Sequence, residues 1–155
     1  MERNEKIREV LNDLIRINND RIDGYEKAAD EAKKIDVDIQ AMFHRFAQES
    51  KQYATELKQL VMNYGGDPAE DTTTSGKIYR VWMDLKAFVT GKDRKAILGS
   101  CEFGEDAAQK AYNEALAESE YLSPEVRELI VKQKAKLKES HDVVKKYRDL
   151  HAETK

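Results

Sequence analysis

Four ionisable side chains in this sequence sit on or beside otherwise apolar helical stripes: Glu26, Glu49, Glu105 and His141. Glu26 follows Ile22 by four residues and precedes Ala29 by three, and Glu49 follows Phe46 by three and precedes Tyr53 by four. Glu105 lies between Cys101 and Ala108, and His141 between Leu137 and Val144. Steps of three and four residues hold such positions on one helix face. A carboxylate in an apolar interior must find a cation or hydrogen-bond donors, or lose its charge. Three carboxylates and an imidazole are ligands that suit a divalent metal (Fe, Mn or Zn). The same groups suit a polar layer in which His141 pairs with one or two of the glutamates and fixes helix register.

Positioning those groups requires long helices, and the pattern supplies them. From about residue 4 to residue 34, Ile7, Leu11, Leu14, Asn18, Ile22, Tyr25, Ala29 and Ala32 form one stripe, with Gly24 in mid-helix. Asp36 or Asp38 can cap a second helix, with its acid near the positive end of the helix dipole. Ile39, Phe43, Phe46, Ser50, Tyr53, Leu57 and Leu60 share its inner face, and Gly65-Gly66 before Asp67-Pro68 ends it. So short a break between them makes the first two helices antiparallel. A loop follows, and Ser75 can cap a shorter helix over 76–90 with Ile78, Trp82, Leu85 and Val89 on its apolar side; burial of Trp82 against the bundle is expected. A third long helix over about 93–119 turns Ile97, Cys101, Gly104, Glu105, Ala108, Tyr112 and Ala115 inward. Ser123-Pro124 is an N-cap followed by proline at the first helical position, and opens a fourth helix to about residue 150. Its inner stripe is Val126, Ile130, Gln133, Leu137, His141 and Val144. Counted from the two hairpin turns, all four ionisable candidates fall well inside their helices and can share one layer.

The expected fold is therefore all-α and one domain over 1–155: an antiparallel four-helix bundle of the ferritin-like kind, with a short extra helix in the crossover between helices 2 and 3. The residues carry a resemblance as well as a pattern. Phe46-Ala47-Gln48-Glu49-Ser50-Lys51-Gln52-Tyr53 resembles the second-helix metal motif of ferritin-like di-metal proteins. Tyr25-Glu26-Lys27-Ala28-Ala29 resembles their first helix, and Gly104-Glu105-Asp106-Ala107-Ala108 with Tyr112 their third. More closely, Leu11-Asn12-Asp13-Leu14, the run from Asn18 to Glu26, the run from Gly91 to Leu98 and the run from Cys101 to Asp106 resemble a bacterial ferritin-like family of unassigned function, of the domain of unknown function 2383 type. That similarity covers nearly the whole chain and implies a fold and a superfamily without a reaction.

It also implies a ligand set of Glu26, Glu49, Glu105 and His141, from which the chain departs twice. Gln52 stands where the second helix of a di-metal protein presents histidine, and Lys138 stands where the fourth presents glutamate. A di-metal centre needs enough anionic oxygen to hold two ions about 3.5–4 Å apart, and this set is short of it. A metal-binding bundle with a degenerate site and a structural or partner-binding bundle that kept the fold and lost the chemistry are both open; no catalytic residue is assigned.

Weaker candidates have simpler readings. Cys101 reads as a buried inert thiol. Glu102 forms a Glu-x-x-Glu pair with Glu105 but belongs at the stripe edge. His44 is an edge residue, and His151 lies in the tail; Asp20 and Asp23 could bind a hard cation, but a solvated helix face is the simpler reading. Lys77, Arg80, Trp82, Lys86 and Phe88 resemble an interfacial composition, for which packing on the bundle is the simpler use.

Composition limits the function classes. A length of 155 residues suits one core, and 7 Gly with 2 Pro are too few for many-turned β structure. A net charge of −3 with scattered Lys and Arg gives no case for nucleic acid. No stretch is apolar and long enough for a bilayer, so no membrane association is expected. One cysteine excludes an internal disulfide and suits a reducing compartment, which makes a cytoplasmic, bacterial-type protein the expectation. Homo-oligomerisation and the identity of any protein partner stay open.

Overall fold

The computed structural model describes residues 2–32, 37–71, 94–117 and 119–153. Among these the chain is all-α, with helices α1 (Glu2–Ala32), α2 (Val37–Asn63), α3 (Arg94–Ala117) and α4 (Pro124–Glu153), and a single 3-10 turn at Ser119–Tyr121 before α4. The bounds fall within about one turn of those expected from caps and glycines. The helix expected over 76–90, with Trp82, lies outside the described residues. No described helix is long and apolar enough to cross a membrane.

Local chemistry explains where the helices stop and start. At the end of α2, Gly65 has φ +77, which an L side chain rarely adopts. The Gly66 N–H donates to the Val61 carbonyl at 2.9 Å and the Gly65 N–H to that of Met62 at 2.9 Å, the paired bonds of a Schellman cap. Gly66 is also where Arg8 of α1 crosses, its Nη1 donating to the Tyr64 carbonyl at 2.7 Å. At the start of α4, Ser123 Oγ accepts from the Val126 N–H at 3.4 Å and also meets the Tyr64 hydroxyl at 2.7 Å, which ties the ends of α2 and α4 together.

Leaving α2, the chain turns back along α1. Asn12 accepts from the Ala69 N–H at 2.8 Å, Arg16 pairs with Asp71 at 2.9 Å, and Asn19 donates to the Asp71 carbonyl at 2.9 Å. Cross-helix contacts then fix the topology. Arg8 meets Tyr64 and Arg21 meets Ser50, so α1 and α2 are antiparallel. Arg21 with Glu105 and Asn18 with Tyr112 make α1 and α3 antiparallel. Tyr112 with Gln133 and Gln109 with Lys134 do the same for α3 and α4. Tyr53 with Gln133 and Glu49 with Ser140 do so for α2 and α4. Helices α1 and α4 therefore run one way and α2 and α3 the other. Helices α2 and α3 are therefore parallel, and 30 residues of sequence separate them.

The apolar interior is divided in two. One cluster, including Tyr25, Phe43, Phe46, Leu98, Cys101 and Val144, lies toward the α1–α2 turn. The other, including Leu11, Leu14, Leu57, Tyr112, Val126 and Ile130, lies toward the α3–α4 turn. Between them sit Asn18, Arg21, Ser50, Glu105 and Gln133, all at most 1% exposed, drawn from all four helices.

Candidate functional site

The polar layer centres on Arg21. Its Nε lies 2.6 Å from Glu105 Oε1 and its Nη2 donates to Oε2 at 2.8 Å, a two-pronged pair that uses both carboxylate oxygens. Its Nη1 donates to Ser50 Oγ at 2.7 Å and to the Phe46 carbonyl at 3.1 Å. The guanidinium carbon lies 4.9 Å from the centre of the Tyr25 ring and 5.7 Å from that of Phe46, so aromatic faces complete its enclosure. Burial opposes the charge on Arg21, and the adjoining Glu105 more than offsets it, so the guanidinium is held more firmly protonated than in water.

From this pair the hydrogen bonds run on across the bundle. Ser50 donates to Asn18 Oδ1 at 3.0 Å, and Asn18 donates to the Tyr112 hydroxyl at 2.9 Å. Tyr112 donates to Gln133 Oε1 at 2.7 Å, and Gln133 donates to Glu56 at 3.0 Å and to the Tyr53 carbonyl at 3.2 Å. Each member has partners in helices other than its own, so the chain of bonds sets the register of all four helices.

The surrounding tyrosines feel this burial. The Tyr25 hydroxyl is pushed well above its ordinary range by burial and then by the Glu105 charge. Tyr53 is pushed up to about 12 by burial and then by Glu49, and Tyr112 is raised, mainly by burial. Raised folded-state values mean that these groups stabilise the fold below the unfolded tyrosine pKa of about 10, and that this contribution is lost as pH rises through the folded values. In an absorbance titration at the tyrosinate band, three of the seven tyrosines should therefore ionise only beyond the usual range, together with alkaline unfolding. Ionisation of all seven near pH 10 would contradict this burial.

The structure sets the four expected ligands in different surroundings, and no three of them bring ligand atoms to one point among the described residues. Glu26 is exposed and pairs with Lys51 at 3.0 Å. Glu49 is half-buried and accepts from Ser140 at 3.2 Å and, at 3.5 Å, from Tyr53. Glu105 is in the layer, with both oxygens on Arg21. His141 turns away toward α3, where its Nε2 lies 2.7 Å from Asp106 Oδ1. Gln52 and Lys138 are both exposed, and Lys138 pairs with Asp142 at 3.0 Å. A di-metal centre does not fit this layer, because a guanidinium holds the buried carboxylate and neither substituted position faces inward. Asp20 corrects the reading of a solvated face, since it is 0% exposed: α1 buries one side on α2 and another on α3. Cys101 is buried, and its thiol is pushed well above its ordinary range by burial and then by Glu105, as an inert thiol should be.

Two further arrangements lie beside the layer. Between α2 and α4 an open groove of about 450 Å³ is lined by Glu49, Tyr53, Glu56, Gln133, Lys136 and Ser140. On the α3–α4 face, Glu102, Asp106 and His141 each present one ligand atom within 4.8 Å of the others. Glu102 and Asp106 are one turn apart on α3, and His141 faces them from α4. Spacing alone could have flagged Glu102-x-x-x-Asp106, but only the packing of α4 on α3 brings the imidazole to it.

No curated protein sequence matches the chain. Residues 6–118, which span α1, α2 and α3 and hold Asn18, Arg21, Ser50, Glu105 and Tyr112 but not Gln133 or His141, match one family across most of the chain, and the protein therefore belongs to the family described as Domain of unknown function (DUF2383).

Proposed function

We propose that this chain is a single ferritin-like bundle in which an internal cation, Arg21, does the work that metal ions do in the di-metal members of that fold. Its role on this reading is structural or partner-binding, without redox chemistry. Support for the ferritin-like assignment comes from the opposed directions of α1 and α4 against α2 and α3, with the long connection between the parallel pair. The observation that carries the functional reading is the Arg21–Glu105 pair, 2.6 Å apart at its closest with both side chains at most 2% exposed. A divalent ion entering there would have to displace a guanidinium that makes two further bonds, to Ser50 and the Phe46 carbonyl.

The test is anaerobic titration of the purified chain with ferrous iron, followed by oxygen. The expected result is that no pair of ions is taken up per chain, and that oxygen consumption does not exceed that of free iron. Two ferrous ions bound per chain, oxidised together on exposure to oxygen, would overturn the reading.

A further inference from the structure

We propose that Glu102, Asp106 and His141 form a site for one divalent transition-metal ion, represented by zinc, on the α3–α4 face and apart from the Arg21 layer. The three ligand atoms lie within 4.8 Å of one another, and the closest two, His141 Nε2 and Asp106 Oδ1, are 2.7 Å apart. Around a tetrahedral ion with bonds of about 2.0–2.2 Å, ligand atoms stand about 3.3–3.6 Å from each other, so small side-chain rotations suffice. One imidazole nitrogen and two carboxylate oxygens suit zinc, and three protein ligands leave a coordination position for water.

Two features of His141 point the same way. Its Nε2 is shielded from solvent and makes no hydrogen bond, and Asp106 Oδ1 lies 2.7 Å from it. A buried ring nitrogen in that condition calls for a partner. The other nitrogen, Nδ1, lies 3.2 Å from Asp142 Oδ1, while Asp142 Oδ2 accepts from Lys138 at 3.0 Å. A carboxylate on Nδ1 fixes the tautomer and turns the Nε2 lone pair toward Glu102 and Asp106, which is how metal-ligating histidines are held. Lys138 thus acts on the site through Asp142. The side chain of Asp106 is 62% exposed and that of His141 18%, so an ion has a route in from solvent.

The experiment is zinc titration of the full chain against a chromophoric chelator, with cobalt absorption spectra as a second readout. Wild-type protein should bind one ion per chain. His141→Ala and Asp106→Asn should each weaken binding at least tenfold, with circular dichroism showing that both variants stay folded. His141→Ala should also remove the nitrogen-ligand signature from the cobalt spectrum, while Glu128→Gln, elsewhere on α4, should change nothing. Absence of zinc binding by the wild type, or affinity that His141→Ala leaves within twofold, would overturn the proposal. In either case the three side chains would be a packing cluster that holds no metal. A second ion surviving in His141→Ala would count against the Arg21 reading instead, so the two failures are distinguishable.

Discussion

Replacing Arg21 with alanine should cost about 3–5 kcal/mol, because it leaves Glu105 as a buried carboxylate with its cation gone. Glu105 is 1% exposed and both its oxygens accept from Arg21. Ser50 and the Phe46 carbonyl lose a donor at the same time. A domain of this size has about 5–15 kcal/mol in hand, so the variant should be only marginally folded at room temperature. The paired change Arg21→Met with Glu105→Leu removes both charges and keeps apolar volume, and it should recover a good part of the loss. Recovery should be incomplete, since Ser50 and the Phe46 carbonyl lose their Arg21 donor and the new side chains must repack against Tyr25 and Phe46. Urea unfolding of wild type, the two single variants and the double variant measures this directly. A loss below about 1 kcal/mol for Arg21→Ala, or a double variant as unstable as the sum of the singles, would mean that the pair does not hold the layer.

The long helices were legible because each carries a 3.6-residue apolar period, and α2 and α4 add a cap signal at one end. Ser123-Pro124 and Gly65-Gly66 gave the boundaries, and the structure explains both through specific bonds. The layer was legible only in part. Glu105, Ser50, Asn18, Tyr112 and Gln133 all fell on inner stripes and all are buried. What spacing could not do was choose between Asn18–Ile22–Tyr25 and Asn18–Arg21–Tyr25, since both advance by steps of three and four. Preference for apolar residues inside selected Ile22, whereas Arg21 is 1% exposed and Ile22 only half-buried. That choice carried Glu26 inward with it, one turn beyond Ile22, and the structure has Glu26 exposed on Lys51. A physical signal for Arg21 was present, since a buried Glu105 needs a cation, but many Lys and Arg residues stand next to inner stripes and spacing could not choose among them. For His141 the stripe was correct to within one side of the helix, but its tilt toward Asp106 depends on how α4 packs on α3, which periodicity does not encode.

Phe43→Ala should cost a similar amount, about 3–5 kcal/mol, and it tests whether the apolar cluster under the layer supports Arg21. Phe43 is 0% exposed, and its ring centre is 5.5 Å from that of Tyr25. Tyr25 in turn lies 5.3 Å from Phe46, and both Tyr25 and Phe46 lie against the Arg21 guanidinium. Truncation at position 43 removes one wall of the Tyr25 slot, so Tyr25 can tilt away and loosen its contact with the cation. The Phe43→Ala and Arg21→Ala losses should then fail to add, with a coupling of about 0.5–3 kcal/mol, because part of what Arg21 contributes has already gone. Phe43→Leu, which keeps most of the volume, should cost less than about 1.5 kcal/mol and restore most of the coupling. Denaturant midpoints at unchanged slope give the losses, and the double variant gives the coupling, measured where necessary with sucrose to keep the weakest variant folded. Additive losses would show that the aromatic cluster and the charged layer stabilise the bundle independently. A coupling of the expected sign would make Tyr25 the physical link between them.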